Sequence, residues 1–262
     1  LSKIQAKFEE LRARNEKALV LFLTAGDQPL ADLPALLATL VEGGADLIEV
    51  GIPFSDPFGE GSTIQASSQR SLDNGTTPIA ILEVLKTFQS PVPLVTMGYY
   101  NTYLRFGLPK IAHLSAAAGV NGTIISDLVP DEGDEWGRAA AENGLDTIYL
   151  SAPTSTEQRL DEVCERSTGF VYAVSRTGVT GAQSAVPPEV RILVERLKSR
   201  TDKPVCVGFG ISQPEHVRMV CEHADGAVVG SWLVDLLHRE WNGGAGRAKI
   251  AEAIQALKAA TR

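Results

Sequence analysis

The stretch 46-DLIEVGIPFSDPFGEGSTIQ-65 decides how the chain is read. Its first residues have the pattern of a strand: Ile48, Val50 and Ile52 share one parity, Leu47, Glu49 and Gly51 the other. Side chains alternate between the faces of a strand. One face is therefore wholly branched and apolar, while Glu49 shares the other with a leucine and a glycine. The chain then turns at Gly51-Ile52-Pro53 and enters a loop that carries Asp56 and Glu60. A carboxylate at the end of a buried strand is costly unless it is paired or has a chemical task. Glu49 is either a catalytic acid/base whose site the loop completes, or a structural carboxylate paired with a lysine or arginine.

The same beat recurs on both sides. Upstream, 18-ALVLFLTAG-26 is a strand ending in a glycine turn, and 31–43 reads as a helix closed by Gly43-Gly44. Two helices, 63–72 and 78–88, follow the opening strand, the second with Thr77 as N-cap and Pro78 at its first position. Further strands fall at 93–98, 122–127, 146–152, 169–175, 204–210 and 226–231. Helices at 108–118, 131–143, 156–167, 188–199 and 214–223 separate them, and a short helix at 232–237 precedes a last one at 248–260. Eight strands, each followed by a helix, imply parallel strands with crossover helices, and eight such units close into a (β/α)8 TIM barrel. No linker or composition break interrupts the chain, so residues 1–262 are expected to form one domain. A doubly wound open sheet is the alternative; it would usually be shorter and leaves the residues after the eighth strand unexplained. Ahead of the barrel, Leu1, Ile4, Phe8 and Leu11 recur at helical spacing. This extra N-terminal helix, 2–14, is expected to cover the bottom of the barrel.

Composition narrows the function classes. The 262 residues hold 24 Lys plus Arg against 32 Asp plus Glu, a net charge of −8 that argues against nucleic-acid binding. An anionic substrate stays compatible, because backbone N–H groups can hold it. No apolar run approaches the roughly 18 residues of a membrane span. The N-terminal 1-LSKIQAKFEELRARNEK-17 is charged and lacks a secretory apolar core. Cys164, Cys206 and Cys221 form no CxxC and read as reduced thiols of a cytoplasmic protein. The four histidines are scattered, so no metal site is expected.

Active sites of such barrels lie at the C-terminal ends of the strands. Besides Glu49, this rule selects Asp127, Tyr172, Gly208-Phe209-Gly210 and Gly230-Ser231. The last two groups have the form of a phosphate site: loops after the seventh and eighth strands, with Gly-Ser opening the short helix. Gly181, in the long loop from Arg176 to Pro188, is a candidate third backbone donor, and that loop is a candidate lid. Each glycine alone is equally an ordinary turn residue, and the loop equally a plain surface connection. Glu60 is either a solvated loop carboxylate or part of the site. Asp56 suits a turn before Pro57, and Asp127 either caps the next helix or anchors the lid. Phe22 and Tyr172 are core residues or walls of an apolar pocket.

Taken together, LTAGD (23–27), GADLIEVGIPFSDP (44–57), TIQ (63–65), YYN (99–101), GVNG with SDL and PDE (119–132), APTST (152–156), VSRTGVTGA (174–182), GFGIS (208–212) and GAVVGS (226–231) resemble the tryptophan synthase α subunit family over essentially the whole length. The resemblance implies retro-aldol cleavage of indole-3-glycerol phosphate to indole and glyceraldehyde 3-phosphate, without metal or cofactor in this chain. Glu49 matches the family's catalytic glutamate, and one carboxyl that both gives and takes a proton is feasible when burial raises its pKa. Phe22 and Tyr172 match pocket residues. Thr180, Gly181, Gly210, Gly230 and Ser231 match positions around the substrate and its phosphate. Pro53, Asp56, Asn101 and Asp127 match the surface that faces a pyridoxal-phosphate-bearing β subunit in an α2β2 heterotetramer. Where the family has aspartate in an Ala-Asp-Gly-Pro run, this chain has Gly59-Glu60-Gly61-Ser62, which keeps the charge and adds a methylene. The family's proline two residues after the fourth-strand aspartate is Val129. Two alternatives follow: a weakly catalytic activator of the β subunit, motivated by the longer Glu60, and a stand-alone indole-producing lyase.

Overall fold

The computed structural model describes residues 1–174, 187–208 and 210–262. Its strands are β1 (Ala18–Thr24), β2 (Leu47–Gly51), β3 (Leu94–Gly98), β4 (Gly122–Ile125), β5 (Asp146–Ile148), β6 (Leu150–Ser151), β7 (Val171–Val174), β8 (Val205–Gly208) and β9 (Gly226–Val229). Every pairing is parallel, in the order β5-β4-β3-β2-β1-β9-β8-β7-β6. β5 and β6 are two halves of one strand interrupted at Tyr149, the first pairing with β4 and the second with β7. The sheet thus begins and ends on the same strand, which makes an eight-stranded barrel and not an open sheet.

Two apolar layers follow from strand parity. Leu19, Leu21, Leu23, Ile48 and Val50 pack outward under the helices. Ala18, Val20, Leu47, Val95, Ile124, Ile148, Phe170, Cys206 and Val228 fill the interior. Glu49 has the parity of Leu47, so its side chain belongs to the barrel lumen.

The helix Lys3–Ala13 closes the lower end of that lumen, as the spacing of its apolar residues predicts. Ile4, Phe8 and Leu11 join the interior cluster, and the Phe8 ring lies 6.0 Å from that of Phe170. Gly122 makes room for it: a Cβ there would stand 2.9 Å from the Ile4 Cδ1.

Several elements differ from the sequence reading. Glu49 is the middle residue of β2, not its end. β4 stops at Ile125, so Asp127 lies two residues beyond the strand. The residues after β3 form an unforeseen helix, Tyr100–Phe106. The helix after β9 runs Ser231–Glu240, ten residues rather than six, because Leu233, Val234, Leu236 and Leu237 give it a buried face. Thr77 caps Pro78–Leu85 as expected, accepting the Ala80 N–H at 3.2 Å.

Candidate active site

Glu49 is fully buried (0% exposed), and neither carboxylate oxygen has a hydrogen-bond partner among the described residues. The salt-bridging lysine or arginine of the structural alternative is absent among them. Burial, reinforced by the negative charge of Glu60, pushes its pKa up to about 8. The group is therefore largely a neutral acid at neutral pH. An unpaired, buried carboxyl of this kind is a liability for folding, which is the physical reason to look for a function in it.

Two aromatic rings share the lumen with Glu49, each where a glycine leaves space. Phe22 is the register partner of Glu49 on β1. A Cβ at Gly51 would lie 2.5 Å from the Phe22 Cζ, so Gly51 is what lets that ring turn inward. Tyr172 on β7 stands opposite Cys206 in register, and a Cβ at Gly208 would fall 2.6 Å from its hydroxyl. Burial, with Glu49 and Glu60 adding to it, holds the Tyr172 phenol well above its ordinary pKa.

At the C-terminal end of β2 opens a cavity, about 310 Å³ of empty space counted out to open solvent, whose walls include Phe22, Gly51, Ile52, Glu60, Met97 and Tyr99. Glu49, fully buried, is not itself a wall; it senses the cavity through the charge of Glu60. Glu60 is thus a wall of this cavity and not a solvated loop residue, and burial raises its pKa as well. Its loop is held from several sides. The Gly59 N–H donates to the Tyr99 hydroxyl at 3.0 Å, and the Gln65 amide donates to the Glu60 carbonyl at 2.8 Å. Tyr99 itself stacks on Phe54, with centroids 4.9 Å apart.

The helix Ser62–Asp73 anchors the far end of the loop through polar contacts. The Ser67 hydroxyl lies 2.7 Å from that of Thr24, Ser68 bonds both backbone groups of Phe54, and Ser71 donates to the Ala25 carbonyl at 2.6 Å. Arg70 forks onto Asp27 at 2.6 and 3.0 Å. Sequence reasoning missed Ser67, Ser68, Arg70 and Ser71, and met Tyr99 only within the YYN motif, not as a support of the Glu60 loop. Serines at 67, 68 and 71 on one face of a helix with few buried apolar residues were the available signal.

At the neighbouring strand ends, Gly210 has φ +41°, a conformation that favours glycine. Gly230 precedes the helix Ser231–Glu240, whose N-terminus has no side-chain cap, so its first N–H groups are open to an anion. A Cβ at Gly230 would come 3.8 Å from Ile64 and 3.9 Å from Phe22, both walls of the cavity. Gly230 therefore adjoins the walls of the cavity. Thr180, Gly181, Phe209 and the 176–186 part of the candidate lid lie outside the described residues.

Asp56, Asn101 and Asp127 are exposed at the same end of the barrel, whereas Pro53 is buried within the chain and offers no free surface. Asp127 neither caps the following helix nor meets a lid residue among those described. It accepts the Tyr100 N–H at 2.7 Å and so caps the helix before it. Among the described residues no cluster of His, Cys, Asp or Glu could hold a metal, and no helix is long and apolar enough to cross a membrane.

A closed parallel barrel with an unpartnered acid among the described residues of its lumen, and a cavity at the C-terminal ends of its strands, has the arrangement of a TIM-barrel enzyme. The family model described as tryptophan synthase alpha chain matches residues 8–262. The tryptophan synthase alpha chain of Geobacter sulfurreducens is 45% identical, covering 99% of this chain and 99% of that one. Among solved structures, the tryptophan synthase subunit alpha of Legionella pneumophila superimposes with a TM-score of 0.91 at 31% identity, covering 100% and 98% of the two chains. Tryptophan synthase from M. tuberculosis in its aminoacrylate-bound form gives 0.90 at 35% identity, covering 100% of both. The chain belongs to the tryptophan synthase alpha chain family.

Proposed function

We propose that this cavity performs the retro-aldol cleavage of indole-3-glycerol phosphate to indole and glyceraldehyde 3-phosphate, with Glu49 as acid and base and Glu60 as acceptor of the ring N–H. The observation that carries the reading is Glu49 itself: buried, without a hydrogen-bond partner among the described residues, and with its pKa raised to about 8. In its neutral form it delivers a proton to ring carbon C3. Positive charge then develops at the ring nitrogen and is balanced by the Glu60 carboxylate. The carboxylate left on Glu49 takes the proton of the hydroxyl on the carbon attached to the ring. The carbon–carbon bond breaks, its electrons return to the ring, and the hydroxyl carbon becomes the aldehyde. Glu49 ends protonated, so the cycle closes without a cofactor.

The aromatic pair Phe22 and Tyr172 suits the ring, and Gly210, Gly230 and Ser231 suit the phosphate, with Thr180 and Gly181 as further contacts. The 262 residues act as one domain in the cytoplasm. The partner is a β subunit that carries pyridoxal phosphate and consumes the indole, in an α2β2 assembly. Exposed Asp56, Asn101 and Asp127 support that partner surface, as do the exposed apolar Phe58, Leu104 and Val129 after β2, β3 and β4. Pro53 contributes through the backbone it fixes between β2 and the loop.

Indole release from indole-3-glycerol phosphate, measured with and without a β subunit, tests this. Cleavage that the β subunit accelerates is expected. Stimulation of β turnover without cleavage would mean an activator, and full speed without a partner a stand-alone lyase.

A further inference from the structure

Four hydroxyl-bearing side chains line the cavity: Thr24, Ser68, Tyr99 and Ser126. Three are engaged within the protein. Thr24 pairs with Ser67, Ser68 with the backbone of Phe54, and Tyr99 accepts from Gly59. The Ser126 Oγ is buried and has no hydrogen-bond partner among the described residues. Its backbone is clamped on both sides: its own N–H donates to the Gly98 carbonyl at 2.9 Å, and the adjacent Asp127 caps the Tyr100 helix. The hydroxyl is thus held at the cavity wall with only its own rotation free. A buried hydroxyl is costly to leave unpaired, so one with no protein partner is suited to a ligand atom.

The order of strands says which part of a ligand that is. Ser126 follows β4, which lies four places from β9 in the sequence β4-β3-β2-β1-β9. With the phosphate at the Gly230–Ser231 end, beside β9, the end of the ligand near β4 is the ring. The neighbouring walls Ile52 and Met97 are apolar, and Glu60 is the other polar group there that addresses the ring. The ring bears a single hydrogen-bonding group, its N–H.

We infer that Ser126 is a specificity residue of this site, reading the nitrogen edge of the substrate ring together with Glu60. Its Oγ accepts a share of the ring N–H from the cavity wall. The inference rests on the reading of the cavity as the ring pocket.

The test compares wild type with Ser126→Ala, using two non-cleavable ligands: indol-3-yl-propyl phosphate and its benzofuran counterpart, in which oxygen replaces the N–H. Loss of one neutral hydrogen bond corresponds to an affinity drop of about 3- to 10-fold for the indole ligand. The benzofuran ligand should bind both proteins alike. An equal loss for both ligands, or no loss for either, would overturn the role of Ser126 while leaving the site reading intact. A wild-type chain that binds neither ligand would overturn both.

Discussion

The Tyr99 hydroxyl accepts the N–H of Gly59 at 3.0 Å, so a side chain after β3 fixes the backbone one residue before Glu60. The Tyr99 ring is in turn locked by stacking on Phe54 and by the edge contact of Phe58, 5.5 Å away. Gly59 and Gly61 on either side of Glu60 give the loop freedom that this bond removes. Tyr99→Phe keeps the stacking and loses the bond. We expect a loss of about 1 kcal/mol in denaturant melts. Displacing a catalytic group by about 1 Å can cost on the order of a hundredfold, so kcat for indole release should fall clearly, by roughly tenfold.

Glu49 makes stability depend on pH in an unusual direction. Its pKa rises from 4.5 to about 8 on folding, so between those values the folded chain holds a proton that the unfolded chain has released. Stability contributed by this group is full below about pH 4.5 and is lost as the pH rises toward 8. Glu49→Gln should therefore gain stability over wild type progressively across that window, by on the order of a few kcal/mol at its upper end. Urea melts at several pH values would show it; a difference independent of pH would contradict the raised pKa.

The second cause of that shift is the charge of Glu60. Glu60→Gln removes it and should lower the Glu49 midpoint, while burial keeps it above the ordinary carboxyl range. Carboxyl NMR titration reads this directly. An unchanged midpoint would mean that the two carboxyls do not sense one another.

Gly51 keeps space for Phe22, and Gly51→Ala would drive a methyl into the ring edge. Overpacking of this kind costs about 1–3 kcal/mol. Displacement of Phe22 should also raise KM more than it lowers kcat, because the ring wall is affected and the proton-transfer groups are not.

The lower end of the barrel should behave in the opposite way. Phe8→Ala opens the plug against Phe170 and should cost about 3–5 kcal/mol. At temperatures where the variant remains folded, kcat should match wild type, since the cavity lies at the other end.

The barrel was legible because parity and period are local signals. Alternation in DLIEVGI separates the lumen face from the helix-packed face, and the same alternation set Glu49 apart. Short strands blurred the ends: β4 stops before Asp127, so that aspartate caps a helix unrelated to the one that follows it in the chain. The helix Tyr100–Phe106 escaped notice because seven residues are too few for a clear period. Glu60 was ambiguous because the cavity it lines takes its other walls from Phe22 and Tyr99, brought to it by the barrel and distant in sequence. The Ser126 hydroxyl, without a partner among the described residues, was invisible for the same reason: lacking a partner is a property of three-dimensional neighbours, not of residue type.

The most direct test of the account is indole release from indole-3-glycerol phosphate by Glu49→Gln, measured with the β subunit present and the fold checked by its melting curve. Glutamine keeps the volume and removes the exchangeable acid, so the account predicts a folded, more stable chain with cleavage reduced to background. Cleavage persisting near the wild-type rate in that variant would contradict it.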